Sequence, residues 1–176
     1  MYKKLIILIG TSLIITLLWF SGLERLYAGF LTSVTNTVLS VGSDHTHIKL
    51  EKQNEDLIFR VHTVIEGRKG SYPQAAQSLL LPVVILLSWL VVLFYSLPRK
   101  TALNQSLANV GIFLFFQVIF MILLTFYYNS NLARYFFHLM LESFYILAVI
   151  IIIKDSLKYS GIWSRKYVDD PLSAGC

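Results

Sequence analysis

Four long apolar runs dominate the pattern of hydrophobic and polar positions along the chain. They lie at about 5–20, 77–97, 107–128 and 135–153. A helix needs about 20 predominantly apolar residues to cross the ~30 Å hydrocarbon core of a bilayer, and each run approaches that length. Lys3 and Lys4 precede the first run, and Trp19 and Phe20 close it as interfacial aromatic residues do. We therefore expect four membrane-spanning helices, the first of them a retained signal anchor.

The segment between the first two runs, about 23–72, is mixed in polarity and begins as an amphipathic helix. Its apolar face consists of Leu23, Leu26, Tyr27, Phe30, Val34, Val38 and Val41. Its polar face consists of Glu24, Arg25, Thr32, Thr35 and Asn36. The spacing predicts a helix that lies on the outer membrane surface or packs through its apolar face. A straight extension of the first span is the alternative.

The second part of this segment predicts a β-hairpin. THIKLEK and LIFRVHTVI alternate with a period of two and are separated by the polar QNED. The register that keeps apolar residues together pairs Lys52 with Leu57, Leu50 with Phe59, and Ile48 with Val61. The opposite face then pairs Glu51 with Ile58, Lys49 with Arg60, and His47 with His62. Residues 67–70 are predicted to be a turn, and Pro73 the first turn of the next helix.

Composition agrees with a membrane protein that has no separate soluble domain. The 176 residues are 56% hydrophobic and only 14% charged, against about 25% charged in soluble domains. The fold class predicted is thus an all-α transmembrane four-helix bundle, a single domain over 1–176, with a small extracytoplasmic β-hairpin and amphipathic helix between spans 1 and 2.

The charge distribution predicts the orientation. Basic residues flank the spans on one side, namely Lys3, Lys4, Arg99, Lys100, Lys154, Lys158, Arg165 and Lys166. The short loop on the other side holds Arg134 alone. The positive-inside rule places both termini in the cytoplasm, in a membrane that we take to be a bacterial inner membrane. The net charge of +5 lies mostly beside spans, so no nucleic-acid partner is predicted.

One candidate site is a polar ridge in the fourth span. Arg134, His138 and Glu142 are four residues apart and stack on one face of a helix. An ionisable side chain in hydrocarbon costs about 2.5–3.5 kcal/mol, so the ridge should face protein or water. His138 could carry protons and Glu142 could act as a base or cation ligand. The favoured alternative is structural, with His138 and Glu142 hydrogen-bonded to each other or to Gln117 or Ser88 on neighbouring spans.

The hairpin histidines are the second candidate. His45, His47 and His62, with Asp44 nearby, could bind zinc or copper, although His-x-His on a strand usually forms only a polar face. Cys176 is the only cysteine, so neither an intrachain disulfide nor a Cys-based metal site is possible. The tail that ends in Cys176 is taken as flexible, with thiol lipidation as the alternative. No cofactor is predicted.

The layout resembles that of small membrane proteins associated with the exosortases, which are bacterial membrane transpeptidases. The resemblance covers about residues 40–155: a single anchor, a short outer β segment, and Tyr72-Pro73 before LLLPVVILLSWLVVLF. Asn131, Arg134 and His138 are similar to the Asn-x-x-Arg and His features of the enzymes. The enzymes' membrane-embedded catalytic cysteine is missing, since Cys176 is expected on the cytoplasmic tail. The resemblance implies an accessory protein rather than the protease.

These patterns favour a non-enzymatic accessory or structural subunit of a membrane protein complex. It would dock through the hairpin, the amphipathic helix and the ridge, and its partners would be the lipid bilayer and other membrane subunits or further copies of itself. An oligomeric channel lined by the fourth span is one alternative. A membrane enzyme or metal-handling protein that uses His138 and Glu142 is another.

Overall fold

The computed structural model describes residues 2–42, 45–53, 56–65 and 67–159, except for the side chains of residues 2–5 and 142. Over these residues the protein is mostly helical and carries a small antiparallel sheet. The elements in chain order are α1 (Tyr2–Leu18), a π-helical turn (Trp19–Leu23), α2 (Glu24–Gly42), β1 (His47–Gln53), β2 (Asp56–Ile65), β3 (Arg68–Ala75), α3 (Gln77–Ser96), α4 (Arg99–Thr125) and α5 (Asn131–Lys158).

The first two helices are joined through a kink at Gly22. Its φ of 131° lies in a region that residues with a Cβ rarely adopt, so glycine is needed at this position. Beyond the kink, α2 packs against β1 and α4. Because Ile6–Gly42 forms one joined unit of 37 residues, the alternative prediction, an extension of the first span, describes α2 better than a helix that lies on the membrane surface.

Long apolar helices make up the rest of the fold. Of the described helices, three are long and apolar enough to cross a bilayer, namely the joined unit Ile6–Gly42, α3 and α4. The two parts of α5, Asn131–Leu141 and Ser143–Lys158, are bent by 49° and make a fourth candidate if they are taken as one span. The protein therefore has the architecture expected of a multi-pass membrane protein.

Helix α3 occupies the centre of the bundle and packs against α1, α4 and α5. Its sequence is apolar on every side, as a helix surrounded by other helices requires. Phe120 of α4 connects the bundle to α5, because its ring stacks on Phe137 with centroids 4.7 Å apart and meets Phe144 edge-on at 5.2 Å.

The predicted hairpin and its register are confirmed. β1 and β2 pair in every position expected from the sequence, from His47 opposite His62 to Lys52 opposite Leu57. The inward face is buried as predicted, with Ile48, Phe59 and Val61 at most 1% exposed. The register follows from the sequence because a slip of one residue would turn this whole apolar set outward.

A third strand, β3, is the first departure from the sequence prediction. Residues 68–70 and Pro73 were expected in a turn and in the start of a helix, but β3 (Arg68–Ala75) pairs along β2, and Pro73 lies opposite Arg60. Tyr72 fixes the strand to the bundle because its hydroxyl donates a hydrogen bond to the carbonyl oxygen of Leu124 on α4. Burial, with Tyr127 and Tyr128 close by, raises the pKa of Tyr72, so this hydroxyl keeps its proton at physiological pH.

The backbone pattern of the sheet explains why proline is tolerated in β3. The amide of Asn36 on α2 bonds both the N–H and the carbonyl oxygen of Ile48, at 2.9 and 2.8 Å, so the backbone of Ile48 faces away from β2. Hydrogen-bonded and non-bonded pairs alternate along an antiparallel ladder. The backbone of Arg60 therefore faces β1, and that of Pro73 faces the open edge, where a missing N–H breaks no bond within the sheet.

The orientation of α2 is the second departure. The predicted apolar face was expected to lie on the membrane surface or to pack against protein. Leu26, Phe30 and Val41 on that face are 73%, 52% and 90% exposed, whereas Tyr27 and Val34 are half-buried. The opposite side of the helix is buried instead, through Ala28, Leu31, Thr32, Thr35 and Leu39. The hydroxyls of Thr32 and Thr35 are satisfied by carbonyl oxygens one turn earlier in the same helix, so these two residues can face the protein at little cost, beside three apolar ones.

Candidate functional site

The predicted polar ridge is divided between two places in the structure. Arg134 and His138 meet at Tyr127, in the turn before α5. The guanidinium carbon of Arg134 lies 5.3 Å from the centre of the Tyr127 ring, and the Tyr127 hydroxyl lies 3.2 Å from Nε2 of His138. Both side chains are exposed on the isolated chain. The backbone of Glu142 lies at the bend of α5, and its side chain is outside the described residues.

Gln117, which was predicted as a hydrogen-bond partner of the ridge, belongs to a different contact. It is fully buried, accepts a hydrogen bond from the hydroxyl of Tyr27 on α2, and donates one of 2.9 Å to the carbonyl oxygen of Leu79 on α3. Ser88 does not contribute to it, because its hydroxyl bonds the carbonyl oxygen of Val84 in the same helix. Gln117 thus connects three helices, and its partners come from α2 and α3 rather than from the ridge.

The three hairpin histidines line one groove on the outward face of the sheet. His45, His47 and His62 share this cavity of about 370 Å³ with Lys69. The rings of His47 and His62 stack with centroids 4.6 Å apart and planes 11° from parallel. Burial, followed by the neighbouring His62 and Lys49, lowers the pKa of His47.

This groove does not form the predicted metal site in its described geometry. A metal binds a ring nitrogen in the plane of the imidazole, whereas His47 and His62 present their faces to each other. Within the described ranges, no group of three or more His, Cys, Asp or Glu side chains is arranged to hold a metal ion. Asp44 and Cys176 lie outside those ranges.

The most connected polar cluster in the described structure was not predicted from the sequence. Asp155, near the end of α5, is fully buried and accepts three hydrogen bonds. They come from the indole N–H of Trp89 at 2.9 Å, the amide of Gln105 at 2.8 Å and the amide of Asn109 at 2.6 Å. Three converging N–H donors suit a carboxylate that acts only as an acceptor. The cluster joins α3, α4 and α5.

A second layer surrounds this carboxylate. The amine of Lys154 lies 3.5 Å from Asp155 and donates to the side-chain oxygen of Asn109 at 2.8 Å. The amine of Lys158 and the hydroxyl of Tyr159 donate to the side-chain oxygen of Gln105, at 3.0 and 3.2 Å. Every polar atom of the buried carboxylate is therefore matched, and a cation adjoins it.

The pattern of apolar residues does not predict this cluster, because the fourth apolar run ends at 153 and Asp155 lies beyond it. Gln105 likewise precedes the third predicted span, 107–128, whereas α4 already begins at Arg99. One signal was present: Gln105 and Asn109 are four residues apart and lie on one face of a helix. Such a pair of amides at the edge of a span indicates a polar partner on a neighbouring helix.

Comparison with known proteins adds no relative. The sequence matches no protein-family model, and neither the curated proteins nor the solved structures searched contain a chain similar to it. The likeness in layout to exosortase-associated proteins stays an expectation from the sequence.

Proposed function

We propose that this protein is a non-enzymatic structural subunit of a membrane protein complex, and that α2 is its docking helix. The observation that carries the proposal is the exposed side of α2, where the large apolar side chains of Leu26, Phe30 and Val41 project away from the rest of the protein. Exposed apolar side chains in a continuous row mark a surface that another molecule covers. We take four spans, with both termini in the cytoplasm, as part of the same proposal.

Helix lengths argue that the bilayer does not cover this row. At 1.5 Å per residue, the rise from Lys4 to Glu24 is about 30 Å, which already equals the hydrocarbon thickness. The full unit Ile6–Gly42 of 37 residues would be about 55 Å long. It would fit within the hydrocarbon only at a tilt of more than about 50°, and transmembrane helices tilt by about 0–40°.

The surface of α4 also indicates where the hydrocarbon core of the bilayer ends on the outer side. Its exposed apolar side chains end at Phe116, and none of the side chains from Gln117 to Thr125 is exposed. The last part of α4 is thus more enclosed by protein than the part that precedes it. Tyr27 bonds Gln117 at this level, so α2 rises beyond the hydrocarbon beside the sheet.

The exposed side of α2 fits the same helix of a second copy. Its large apolar residues flank a row of small ones at four-residue spacing, Gly29, Ser33 and Thr37. A Cβ added at Gly29 would meet no atom within 4 Å, so this row is open to a neighbour. Small residues at this spacing let two helices approach closely. Two copies anchored in one membrane are parallel, and a two-fold axis along the membrane normal would bring the uncharged row against itself.

Site-specific photocrosslinking in membranes tests this function. A photoreactive phenylalanine at Phe30 should give an adduct of twice the chain mass, whereas the same group at Phe116, on the part of α4 that faces lipid, should give none. Gly29→Leu should abolish the Phe30 adduct because it blocks close approach. Gly111→Leu is the matched control, since a Cβ at Gly111 also meets nothing within 4 Å.

Each other outcome has a definite meaning. Adducts with lipid alone at Phe30 would refute the docking role of α2. An adduct of another mass would show that a different subunit contacts α2, and the proposal that a second copy of this chain binds there would be wrong. An adduct of twice the chain mass that survives Gly29→Leu would refute the small-residue row as the contact.

A further inference from the structure

At the end of the bundle opposite the sheet, a cavity of about 500 Å³ opens between the start of α4 and the end of α5. It is lined by Lys100, Thr101, Asn104, Gln105, Ala108, Lys158 and Tyr159. Two of these residues are cations, and all the others except Ala108 carry hydroxyl or amide groups. None of the described lining residues is acidic.

The buried Asp155 holds one wall of this cavity in place. The amide nitrogen of Gln105 donates to Asp155 and to Asn109, so its oxygen must point the other way. That oxygen accepts from Lys158 and Tyr159, and the amine of Lys158 also lies 5.2 Å from the centre of the Tyr159 ring. The carboxylate thus acts as a positioning group, and the amine of Lys154, 3.5 Å away, offsets its negative charge.

The start of α4 adds a second attraction for negative charge. Pro98 precedes the helix, and no side chain caps its first turn. The N–H groups of a first helical turn lack partners within the helix and carry the positive end of its dipole. Lys100 and Thr101 lie in this turn and line the cavity.

Apolar surface adjoins this charged cavity on both helices. Leu103 and Leu107 of α4 and Leu157 of α5 are 50%, 63% and 77% exposed. These residues share turns with Lys100, Asn104 and Lys158. An anion with attached acyl chains would bind the basic cavity and cover the exposed leucines, whereas free phosphate would leave the leucines uncovered.

We propose that this cavity binds the phosphate headgroup of an anionic phospholipid, with the acyl chains lying along the leucines of α4 and α5. Basic pockets between membrane helices on the cytoplasmic side are typical sites for such headgroups. Lys100 and Lys158 supply the charge, Asn104 and Thr101 supply hydrogen bonds, and the Asp155 cluster keeps the site preformed. This site is independent of the docking role of α2.

Lipid titration of the purified full-length chain, followed by native mass spectrometry in mild detergent, tests the proposal. Phosphatidylglycerol and cardiolipin should bind at least tenfold more tightly than phosphatidylcholine. Lys100→Gln should weaken anionic lipid binding about fivefold, as expected for loss of one positive charge near a membrane surface. Arg99→Gln is the matched control, because Arg99 is an exposed cation on the same turn that does not line the cavity.

Several results would overturn the proposal. If phosphatidylcholine bound as tightly as phosphatidylglycerol and cardiolipin, the charge of the headgroup would not be what the cavity recognises. Equal effects of Lys100→Gln and Arg99→Gln would show a diffuse surface charge instead of this cavity. Displacement of the lipid by millimolar inorganic phosphate would assign the site to a free anion.

Discussion

Removal of the Asp155 carboxylate should be among the most damaging single changes in this protein. Asp155→Ala leaves the N–H groups of Trp89, Gln105 and Asn109 buried without their acceptor. Hydrogen bonds between membrane helices average about 0.6 kcal/mol, and those to charged groups reach about 1.5 kcal/mol or more, so three of them amount to roughly 2–5 kcal/mol. The amine of Lys154 would also lose its ion pair. Because the Lys154 side chain is 41% exposed, loss of this ion pair adds little, and we expect a loss of about 2–5 kcal/mol in the free energy of unfolding.

Unfolding by sodium dodecyl sulfate in mixed micelles, followed by far-UV circular dichroism, measures this loss. Asp155→Asn should lose less than Asp155→Ala, because the amide keeps one acceptor oxygen. Asp56→Ala serves as the control, since Asp56 is exposed and its side chain accepts a single hydrogen bond, of 3.0 Å, from Gln77. That control should change the free energy by less than about 0.5 kcal/mol. If Asp155→Ala unfolds within about 0.5 kcal/mol of the wild type, the cluster does not stabilise the bundle and the reasoning fails.

Two further changes test how the sheet is attached and how its outer groove titrates. Tyr72→Phe removes the hydrogen bond to Leu124 and should lower the free energy of unfolding by about 1 kcal/mol in the same titration; an unchanged midpoint would contradict the anchoring role. His62→Gln should raise the pKa of His47, measured by NMR titration of its ring proton, although burial and Lys49 still lower it. Folding lowers the pKa of His47 from 6.5, so the stability that its neutral form contributes is complete above pH 6.5 and is lost as the pH falls through the lowered pKa. His62→Gln should make this loss of stability at low pH smaller.

The sheet register and the long helices could be predicted because each follows from a local pattern. A period of two in THIKLEK and LIFRVHTVI allows a single pairing that keeps Ile48 and Phe59 on one face. β3 has no such pattern, since only Tyr72 among its eight residues is large, apolar and turned inward. Pro73 suits both the first turn of a helix and the open edge of a sheet, so the sequence alone could not decide between them.

The orientation of α2 and the Asp155 cluster could not be predicted from short stretches of sequence, because both depend on which elements lie next to each other in the fold. Amphipathic spacing shows that a helix has two unlike faces, but which face is buried depends on what surrounds it. In a membrane protein, lipid or a partner can cover the apolar face, and Thr35 can face the protein because its hydroxyl bonds within the helix. Asp155 follows Lys154 at the end of an apolar run, which is where a cytoplasmic tail would begin. Only the meeting of α3, α4 and α5 distinguishes it from such a tail.

The two outer strands of the sheet bear on how copies of this protein can join. An unprotected strand edge can recruit a strand of another chain, which leads to strand exchange or fibrous aggregation. Here the Asn36 amide occupies the free N–H and carbonyl of Ile48 in β1, and Pro73 offers no donor in the middle of β3. A fourth strand would therefore find its ladder interrupted on either side. Assembly by added strands is blocked, and association through helices remains open.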